Sequence, residues 1–322
     1  MSLLGPASDG AFGQTSPPAK LTVDVTNHTV NGATLTGEEV TLQLYSGQEP
    51  TDLLQAKISE DGKAIFTNIP TGSGMAAVAR VKHQNMIFKS PPVVLDPPGS
   101  EFSASVEVFD VSTDTSKLSI GVHHIMVAVR STSLEFTEYM QLINSSDMAV
   151  IGSQRDDHNR PVVIRIRLPE GFKELAESSY LEPEALVVTD DGFYDTMAVP
   201  PGEHQVAFSY KIDLHRGTMK IARGITLPTT EFMVFWEQGR SKLEGLGEPN
   251  DRLVNAGGAP IEYYRRSGLK PGDEVAFQIS GLAVKGSDWH TWVILAVVFV
   301  VITAIAVLRL RPVSGSRGHQ HG

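Results

Sequence analysis

The stretch Ser59–Gly72, SEDGKAIFTNIPTG, carries the strongest fold signal in this sequence. Its Asp61-Gly62 dipeptide favours a tight hairpin turn, because glycine readily adopts the positive backbone angles that such turns require. Phe66 and Ile69 follow as the apolar residues that would fill a core, and Gly72 precedes the next apolar run. This pattern predicts a β-hairpin inside an all-β domain.

Alternating apolar and polar residues continue on both sides of this stretch, over residues 19–111. The alternation is typical of strands with one buried face, and Gly, Pro and Asn separate the runs as turn residues. Regularly spaced short strands of this kind indicate a β-sandwich. The clearest strand signals are LTVDV (Leu21–Val25), VTLQLY (Val40–Tyr45), MAAVARV (Met75–Val81) and SASVEVF (Ser103–Phe109).

Three motifs in this region follow one another in a recurring order. They are GEEVTL (Gly37–Leu42), SEDGKAIF (Ser59–Phe66) and NIPTG (Asn68–Gly72). This order resembles the carboxypeptidase regulatory-like, transthyretin-like β-sandwich, and the resemblance covers residues 19–111. It implies a fold but no activity, because modules of that family are usually structural or adhesive.

A second β-rich region covers residues 118–286, after a polar stretch at 112–117 that we interpret as a linker. Its length and turn spacing predict one larger β-sandwich, so that two sandwiches would follow each other in tandem. Only Phe172–Ser179 has a pattern typical of a short helix. The strand signals are Leu118–Val129, Leu134–Ile143, Val162–Leu168, His204–Leu214, Glu231–Trp236 and Glu274–Leu282.

The order of motifs in this second region also carries a resemblance. LPEG (168–171), DGFYDT (191–196), VPPGEHQVAFSY (199–210) and GLKPGDEV (268–275) occur in turn. This order is similar to that in uncharacterised extracytoplasmic bacterial proteins that pair such a sandwich with a transthyretin-like module. The resemblance implies a place in the cell envelope and implies no established activity.

The C-terminal part contains an apolar segment. Thr291–Leu308 reads TWVILAVVFVVITAIAVL, eighteen residues without a charge. As an α-helix it would be about 27 Å long, close to the thickness of the hydrocarbon layer of a bilayer. A helix satisfies its own backbone hydrogen bonds in lipid, so we predict a transmembrane helix at 289–309.

The residues that flank this segment predict its orientation. Trp289 lies just before this segment and Trp292 lies near its start, and Arg309 and Arg311 follow it. Indole rings favour the membrane interface. Because positive charge stays in the cytoplasm, the tail 310–322 is expected there and the preceding domains outside. We therefore expect a single-pass cell-membrane protein, and we interpret residues 1–18 as a flexible leader with a possible signal-peptide remnant.

The composition excludes several kinds of function. Lys and Arg number 27 against 37 Asp and Glu, and a net charge of -10 argues against nucleic acid as a partner. The absence of cysteine excludes thiolate metal sites, thiol catalysis and disulfides in this chain. No Gly-x-Ser-x-Gly elbow occurs, and Ser119, Ser209 and Ser280 fall within predicted strands. We expect no enzyme activity, no catalytic residue and no cofactor.

His124 and Met126 form a weak candidate metal site. In a strand, successive side chains point to opposite faces, so the adjacent His123 and His124 do not chelate one ion easily. His124 and Met126 share a face instead, and imidazole with thioether ligands suits copper. A buried or solvated histidine without metal is the more common arrangement, so we assign no metal to this chain.

Tyr263, Tyr264, Arg265 and Arg266 are a local concentration of residue types favoured at binding hot spots. Adjacent tyrosines in a strand place one ring inside and one outside, so not all four residues can share a surface. We interpret them as candidate partner contacts.

Two classes of function remain open. The first, which we favour, is a non-enzymatic interaction or scaffold module of the bacterial envelope. The second is a protein with a ligand site, either a copper or cytochrome assembly factor or a carbohydrate-binding protein. A carbohydrate platform needs exposed aromatic rings, whereas Trp236 lies within a predicted strand. We therefore expect the lipid bilayer and an envelope protein as partners.

Overall fold

The computed structural model describes residues 19–237, 239, 241–254 and 260–282. The predicted leader at 1–18 and the predicted membrane segment and tail at 289–322 lie outside the described residues. Within the described ranges the chain is all-β, with one 3-10 turn at Thr115–Lys117, which confirms the all-β part of the prediction. No helix in these ranges has the length and apolar character needed to cross a bilayer.

The strands are numbered in chain order. Those before residue 113 are β1 (Ala19–Asn27), β2 (Glu39–Ser46), β3 (Glu49–Lys57), β4 (Lys63–Ile69), β5 (Met75–His83), β6 (Met86–Lys89), β7 (Val93–Val94), β8 (Glu101–Val108) and β9 (Val111–Ser112).

The later strands include most of the long ones. They are β10 (Leu118–Val129), β11 (Ser133–Asn144), β12 (Ala149–Val150), β13 (Ile164–Arg167), β14 (Phe172–Ser179), β15 (Leu186–Thr189), β16 (Gly192–Asp195), β17 (Gly202–Asp213), β18 (Gly217–Gly224), β19 (Thr229–Glu237), β20 (Lys242–Glu244), β21 (Asp251–Val254), β22 (Pro260–Leu269) and β23 (Glu274–Leu282).

The described chain divides into two compact units. The first contains the described residues up to Thr113 together with Ser146–Ile151 and Ala198–Pro201. The second contains Asp114–Ser145, Gly152–Met197 and the described residues from Gly202 onward. The first unit therefore includes two short segments from within the region that the sequence assigns to the second sandwich.

The first unit is built from two main sheets. One has the order β4-β1-β8, with β1 and β8 parallel, and the other has the order β3-β2-β5-β6, with β7 added to β5. A short parallel pair joins β9 to β12. Alternate residues of β1 and β2, such as Leu21, Val23, Leu42 and Leu44, are buried and form the core.

The Asp61-Gly62 turn has a different role from the predicted one. It is tight, because the Ser59 N–H donates to the Lys63 carbonyl at 2.9 Å and Gly62 has a φ of +76°. However, β3 pairs with β2 and β4 pairs with β1, so the turn joins strands of two sheets and the predicted hairpin is wrong. Phe66 and Ile69 are buried, as predicted.

The second unit contains a seven-stranded sheet with the order β14-β17-β11-β10-β19-β22-β21. Within it β10 and β19 run parallel, whereas β11 lies antiparallel to both β10 and β17. Two three-stranded sheets, β13-β16-β15 and β18-β23-β20, complete the unit. Side chains from the seven-stranded sheet and the short sheets meet in the core. For example, the Phe208 ring of β17 contacts the Phe193 ring of β16 edge-on, with 5.0 Å between the ring centroids.

The helix predicted at Phe172–Ser179 is wrong, because this stretch is strand β14. Its sequence FKELAESS contains good helix formers, but β14 pairs with β17 along the edge of the seven-stranded sheet. The pairing has two register shifts, and Glu174 has a φ of +52°. Sheet hydrogen bonding has therefore overridden a local helical preference.

Candidate functional site

The seven-stranded sheet has one buried face and one half-exposed face. On β10 the side chains of His123, Ile125 and Val127 are buried, whereas His124 and Met126 are half-exposed. We call the half-exposed side the outer face. The structure confirms that His124 and Met126 share a face and that the adjacent histidines point to opposite sides. Because β10 is the central strand, this pair lies in the middle of the sheet.

Four rings form a continuous row across four neighbouring strands of the outer face. The His124 ring of β10 lies 5.9 Å from the Tyr139 ring of β11 and 5.2 Å from the Phe235 ring of β19, centroid to centroid. The Phe235 ring lies 5.9 Å from the Tyr263 ring of β22. We call Tyr139, His124, Phe235 and Tyr263 the aromatic row.

Methionine and arginine side chains flank the aromatic row. In the register of β10 with β19, Met233 is opposite His124 and Phe235 is opposite Met126. In the register of β19 with β22, Arg265 is opposite Met233. The structure therefore brings the predicted candidates His124, Met126, Tyr263 and Arg265 onto one face, although they come from opposite ends of the second region.

Two of the predicted contact residues lie elsewhere. Tyr264 points to the inner side and is buried, which confirms that the two tyrosines face opposite ways. Arg266 is exposed and lies two residues after Tyr264 on β22, so it does not alternate with Tyr263 and Arg265 on the outer face. Its guanidinium donates to the Leu246 carbonyl at 2.7 Å. The interface candidates Trp289, Trp292, Arg309 and Arg311 lie outside the described residues.

His124 has unusual chemistry for a residue on a half-exposed face. Its Nδ1 atom is buried and has no hydrogen-bond partner among the described residues. Burial and, to a smaller extent, the neighbouring His123 lower the pKa of the His124 imidazole to about 4. The ring is therefore neutral at neutral pH.

A buried charged cluster lies beneath this face, and no motif in the sequence predicted it. Glu138 of β11 is fully buried and accepts hydrogen bonds from Tyr210 Oη at 2.8 Å and from His123 Nε2 at 2.7 Å. Arg223 of β18 donates from Nε and Nη2 to the same carboxylate at 3.0 and 2.9 Å. Its Nη1 also donates to the Arg167 carbonyl. The cluster joins the seven-stranded sheet to β18.

Neighbouring groups fix the charge states in this cluster. Burial raises the pKa of the Glu138 carboxyl, but the Arg223 charge and the His123 hydrogen bond outweigh burial and leave this pKa well below its ordinary value. Burial lowers the pKa of His123, and the attraction of Glu138 does not compensate. The cluster therefore combines one carboxylate, one guanidinium, a neutral imidazole and the Tyr210 hydroxyl.

A second buried carboxyl, Asp195 of β16, lacks a full set of partners. Its Oδ1 accepts the Met197 N–H at 2.9 Å, whereas its Oδ2 is buried without a partner among the described residues. Burial raises the pKa of Asp195 to about 6. Asp195 lines a small cavity together with apolar side chains of β10, β11, β13, β16 and β17.

In the first unit a buried histidine lies between two carboxyl groups, an arrangement that the sequence analysis did not predict. The Nδ1 and Nε2 atoms of buried His83 lie 2.8 Å from Glu38 Oε1 and 2.9 Å from Asp110 Oδ1. The imidazole is therefore held between two carboxyl groups. Asp110 also accepts from Asn27 Nδ2 at 2.8 Å, so this cluster connects four separate stretches of the first unit.

Two other kinds of ligand site find little support among the described residues. No group of three or more His, Asp or Glu side chains that could hold a metal ion occurs among them. Trp236 is only 2% exposed, so it cannot serve as a stacking platform for a sugar. The remaining candidate for function is the outer face with its aromatic row.

Comparisons with known proteins add structural neighbours but no family. No family model matches this chain, and no curated protein matches it. A DUF3823 family protein from Parabacteroides merdae aligns at 15% identity and a TM-score of 0.21, covering 65% of this chain and 91% of that one.

Two fimbrial proteins also align with the chain. The fimbrial protein FimP from Actinomyces oris has 10% identity and a TM-score of 0.24 over 88% of this chain and 94% of its own. The major pilin SpaD from Corynebacterium diphtheriae has 10% identity and a TM-score of 0.21 over 83% and 85% of the two chains. At such TM-scores these likenesses carry no argument about what this chain does.

Proposed function

We propose that this chain is a non-enzymatic interaction module of the bacterial cell envelope. In this proposal the outer face of the seven-stranded sheet binds an envelope protein, and the segment at 289–309 anchors the chain in the cell membrane. The observation that carries the proposal is the aromatic row, which leaves four rings half-exposed on one face.

The chemistry of the outer face favours a protein as the bound partner. Aromatic residues, methionine and arginine are enriched at protein interfaces, because they bury large areas with few rotatable bonds or in adaptable shapes. Tyr263 and Arg265 lie at one end of the row, and the two methionines Met126 and Met233 lie beside its centre. The face belongs to a seven-stranded sheet, and a broad sheet suits a macromolecular partner better than a small ligand, which usually binds in a cleft.

The identity of the first unit and the membrane anchoring belong to the same proposal. The motifs at 37–42, 59–66 and 68–72 support a carboxypeptidase regulatory-like sandwich in the first unit. The uncharged segment Thr291–Leu308 and the arginines that follow it support a single-pass protein with its domains outside and its tail in the cytoplasm. Such an arrangement would present the outer face to other envelope proteins.

Site-specific photo-crosslinking in membranes tests the contact surface. We expect a photoreactive phenylalanine analogue at position 263 or 139 to capture one discrete envelope protein. The same analogue at Val188, which is 56% exposed in the same unit, serves as the matched control and should capture none. Arg265→Glu should weaken the crosslink from position 139. Equal capture from position 188, or no capture from either position on the face, would contradict the proposal.

A further inference from the structure

The outer face also carries three potential metal-ligating side chains at neighbouring positions of two paired strands. His124 and Met126 are two residues apart on β10, and Met233 lies opposite His124 on the adjacent parallel strand β19. We propose that His124, Met126 and Met233 form a binding site for a soft monovalent metal ion, Cu(I) or its redox-inert analogue Ag(I). This inference does not depend on the protein partner.

The sheet geometry permits the three donors to converge. Neighbouring strands lie about 4.8 Å apart, and alternate residues of one strand point to the same side. All three side chains are half-exposed members of one face, so none has to cross the sheet to reach the others. Methionine side chains have three rotatable bonds, which lets each sulfur move toward the imidazole without a change in the backbone.

The donors select the class of ion. Thioether sulfur and imidazole nitrogen favour Cu(I), whereas Mg²⁺, Ca²⁺ and Mn²⁺ prefer oxygen ligands. The nearest acidic side chain on β19 of this face, Glu231, is ion-paired with Arg265. Zinc sites use cysteine, histidine or carboxylate ligands and not thioethers, so a set of one histidine and two methionines is a poor zinc site.

His124 is ready to act as a ligand without losing another bond. Its buried Nδ1 has no hydrogen-bond partner among the described residues, so a metal would satisfy an atom that is otherwise unpaired. The Tyr139 and Phe235 rings stand beside the imidazole and would limit access of water to the ion.

Titration of the full chain in detergent with Ag(I) tests the site, because Ag(I) requires no reductant. We expect one tight equivalent by calorimetry, together with shifts of the Met126 and Met233 signals in a protein carrying ¹³C-labelled methionine methyl groups. Met126→Leu, Met233→Leu and His124→Gln should each weaken binding roughly tenfold or more, since each removes one of three ligands.

Met86→Leu is the matched control, because Met86 is a half-exposed strand methionine of the first unit and should leave Ag(I) affinity unchanged. The methyl spectrum of the unsubstituted protein decides the question even if a variant fails to fold. Equal shifts at Met86 and Met233, unchanged affinity in the Met233→Leu variant, or no Ag(I) binding would overturn the site. A protein that binds Ag(I) but gives no crosslink would retain the metal site and lose the proposed contact surface.

Discussion

At the residue scale, Glu138 is a fully buried carboxylate held by three neighbouring side chains. Its carboxylate accepts from Tyr210, His123 and Arg223, and it has no exposed surface. A buried carboxylate without these donors would be strongly disfavoured, because transfer from water removes its hydration. The cluster links two sheets, and removing any one of its members would leave a buried polar or charged group without a partner.

Removing Arg223 alone should be far more damaging than removing the whole ion pair. We expect Arg223→Met to lower the free energy of unfolding by about 3–5 kcal/mol, because it leaves the buried Glu138 charge without its partner. Combining it with Glu138→Gln should recover part of that loss, since the remaining polar group is neutral. Urea unfolding of the single and double variants measures the coupling.

An exposed ion pair in the same unit supplies the control for this cycle. Lys173 and Asp213 lie 2.5 Å apart with side chains 45% and 58% exposed. Lys173→Met should change stability by less than about 1 kcal/mol, because surface pairs are solvated and screened. Additive effects of the two substitutions at Glu138 and Arg223 would show that the buried pair is not coupled.

Asp195 should make stability depend on pH in a predictable direction. Its pKa is raised from 3.8 to about 6 in the folded protein, so protonation favours folding. This contribution is complete below pH 3.8 and is lost as the pH rises toward 6, by on the order of 3 kcal/mol. Asp195→Asn stays neutral and should remove this loss, which urea unfolding from pH 4 to 8 would reveal.

The comparison of variants makes the Asp195 prediction specific. At pH 7 the Asp195→Asn protein should be at least as stable as the unsubstituted chain, and the difference should shrink toward pH 4. Asp190→Asn, at an exposed position of the neighbouring turn, should leave the pH dependence unchanged. Parallel pH profiles for the unsubstituted and Asp195→Asn proteins would mean that Asp195 does not titrate in this range.

At the scale of elements, the turn between β15 and β16 requires glycine. Gly192 has a φ of +142°, and a Cβ atom there would lie 2.0 Å from the Ile166 carbonyl oxygen of β13. The absence of a side chain thus allows β13 and β16 to pair closely, which in turn positions Asp195 at the other end of β16.

Gly192→Ala should therefore destabilise the second unit by about 3 kcal/mol or more, because it combines backbone strain with a steric clash. Gly171→Ala is the matched control: Gly171 also has a positive φ of +77°, but a Cβ atom there meets nothing within 4 Å. That substitution should cost only about 1–2 kcal/mol, the penalty for a left-handed conformation. Equal losses in chemical unfolding would rule out the steric contribution.

At the scale of the whole molecule, the proposed anchor predicts how the protein fractionates. We expect the full chain to stay in the membrane pellet after alkaline extraction and the chain lacking 289–322 to be released. Val298→Arg with Val300→Arg should also release it, because each arginine costs about 2.5–3.5 kcal/mol at the centre of a helix in the bilayer. The control substitutions Val298→Leu and Val300→Leu should leave the protein in the membrane pellet.

Protease added from either side of the membrane tests the orientation of the same protein. Both described units should be cleaved from the extracytoplasmic side, whereas a tag on the tail should be cleaved from the cytoplasmic side. Full solubility of the complete chain without detergent would contradict the anchor. Cleavage of the two units only from the cytoplasmic side would reverse the proposed topology.

The local alternation of residues was enough to predict the class of fold. Leu118–Val129 and Glu274–Leu282 form strands with the predicted bounds, because a period of two is encoded within each segment. Alternation also predicted that His124 would share a face with Met126 and that Tyr263 and Tyr264 would point to opposite sides. It failed at Phe172–Ser179, where a neighbouring strand and not the local sequence determined the conformation.

Only the tertiary structure decided which strands lie side by side. The parallel pairing of β10 with β19 places Met233 beside His124, and the pairing of β19 with β22 adds Tyr263 and Arg265 to the same face. Likewise Glu138 and Arg223 meet from strands that are 85 residues apart in the chain. The sequence by itself determined the strands and their faces, since these depend on near neighbours. Strand order and register depend on packing across the whole unit. The residues of the outer face and of the buried charged cluster therefore come together only in the tertiary structure.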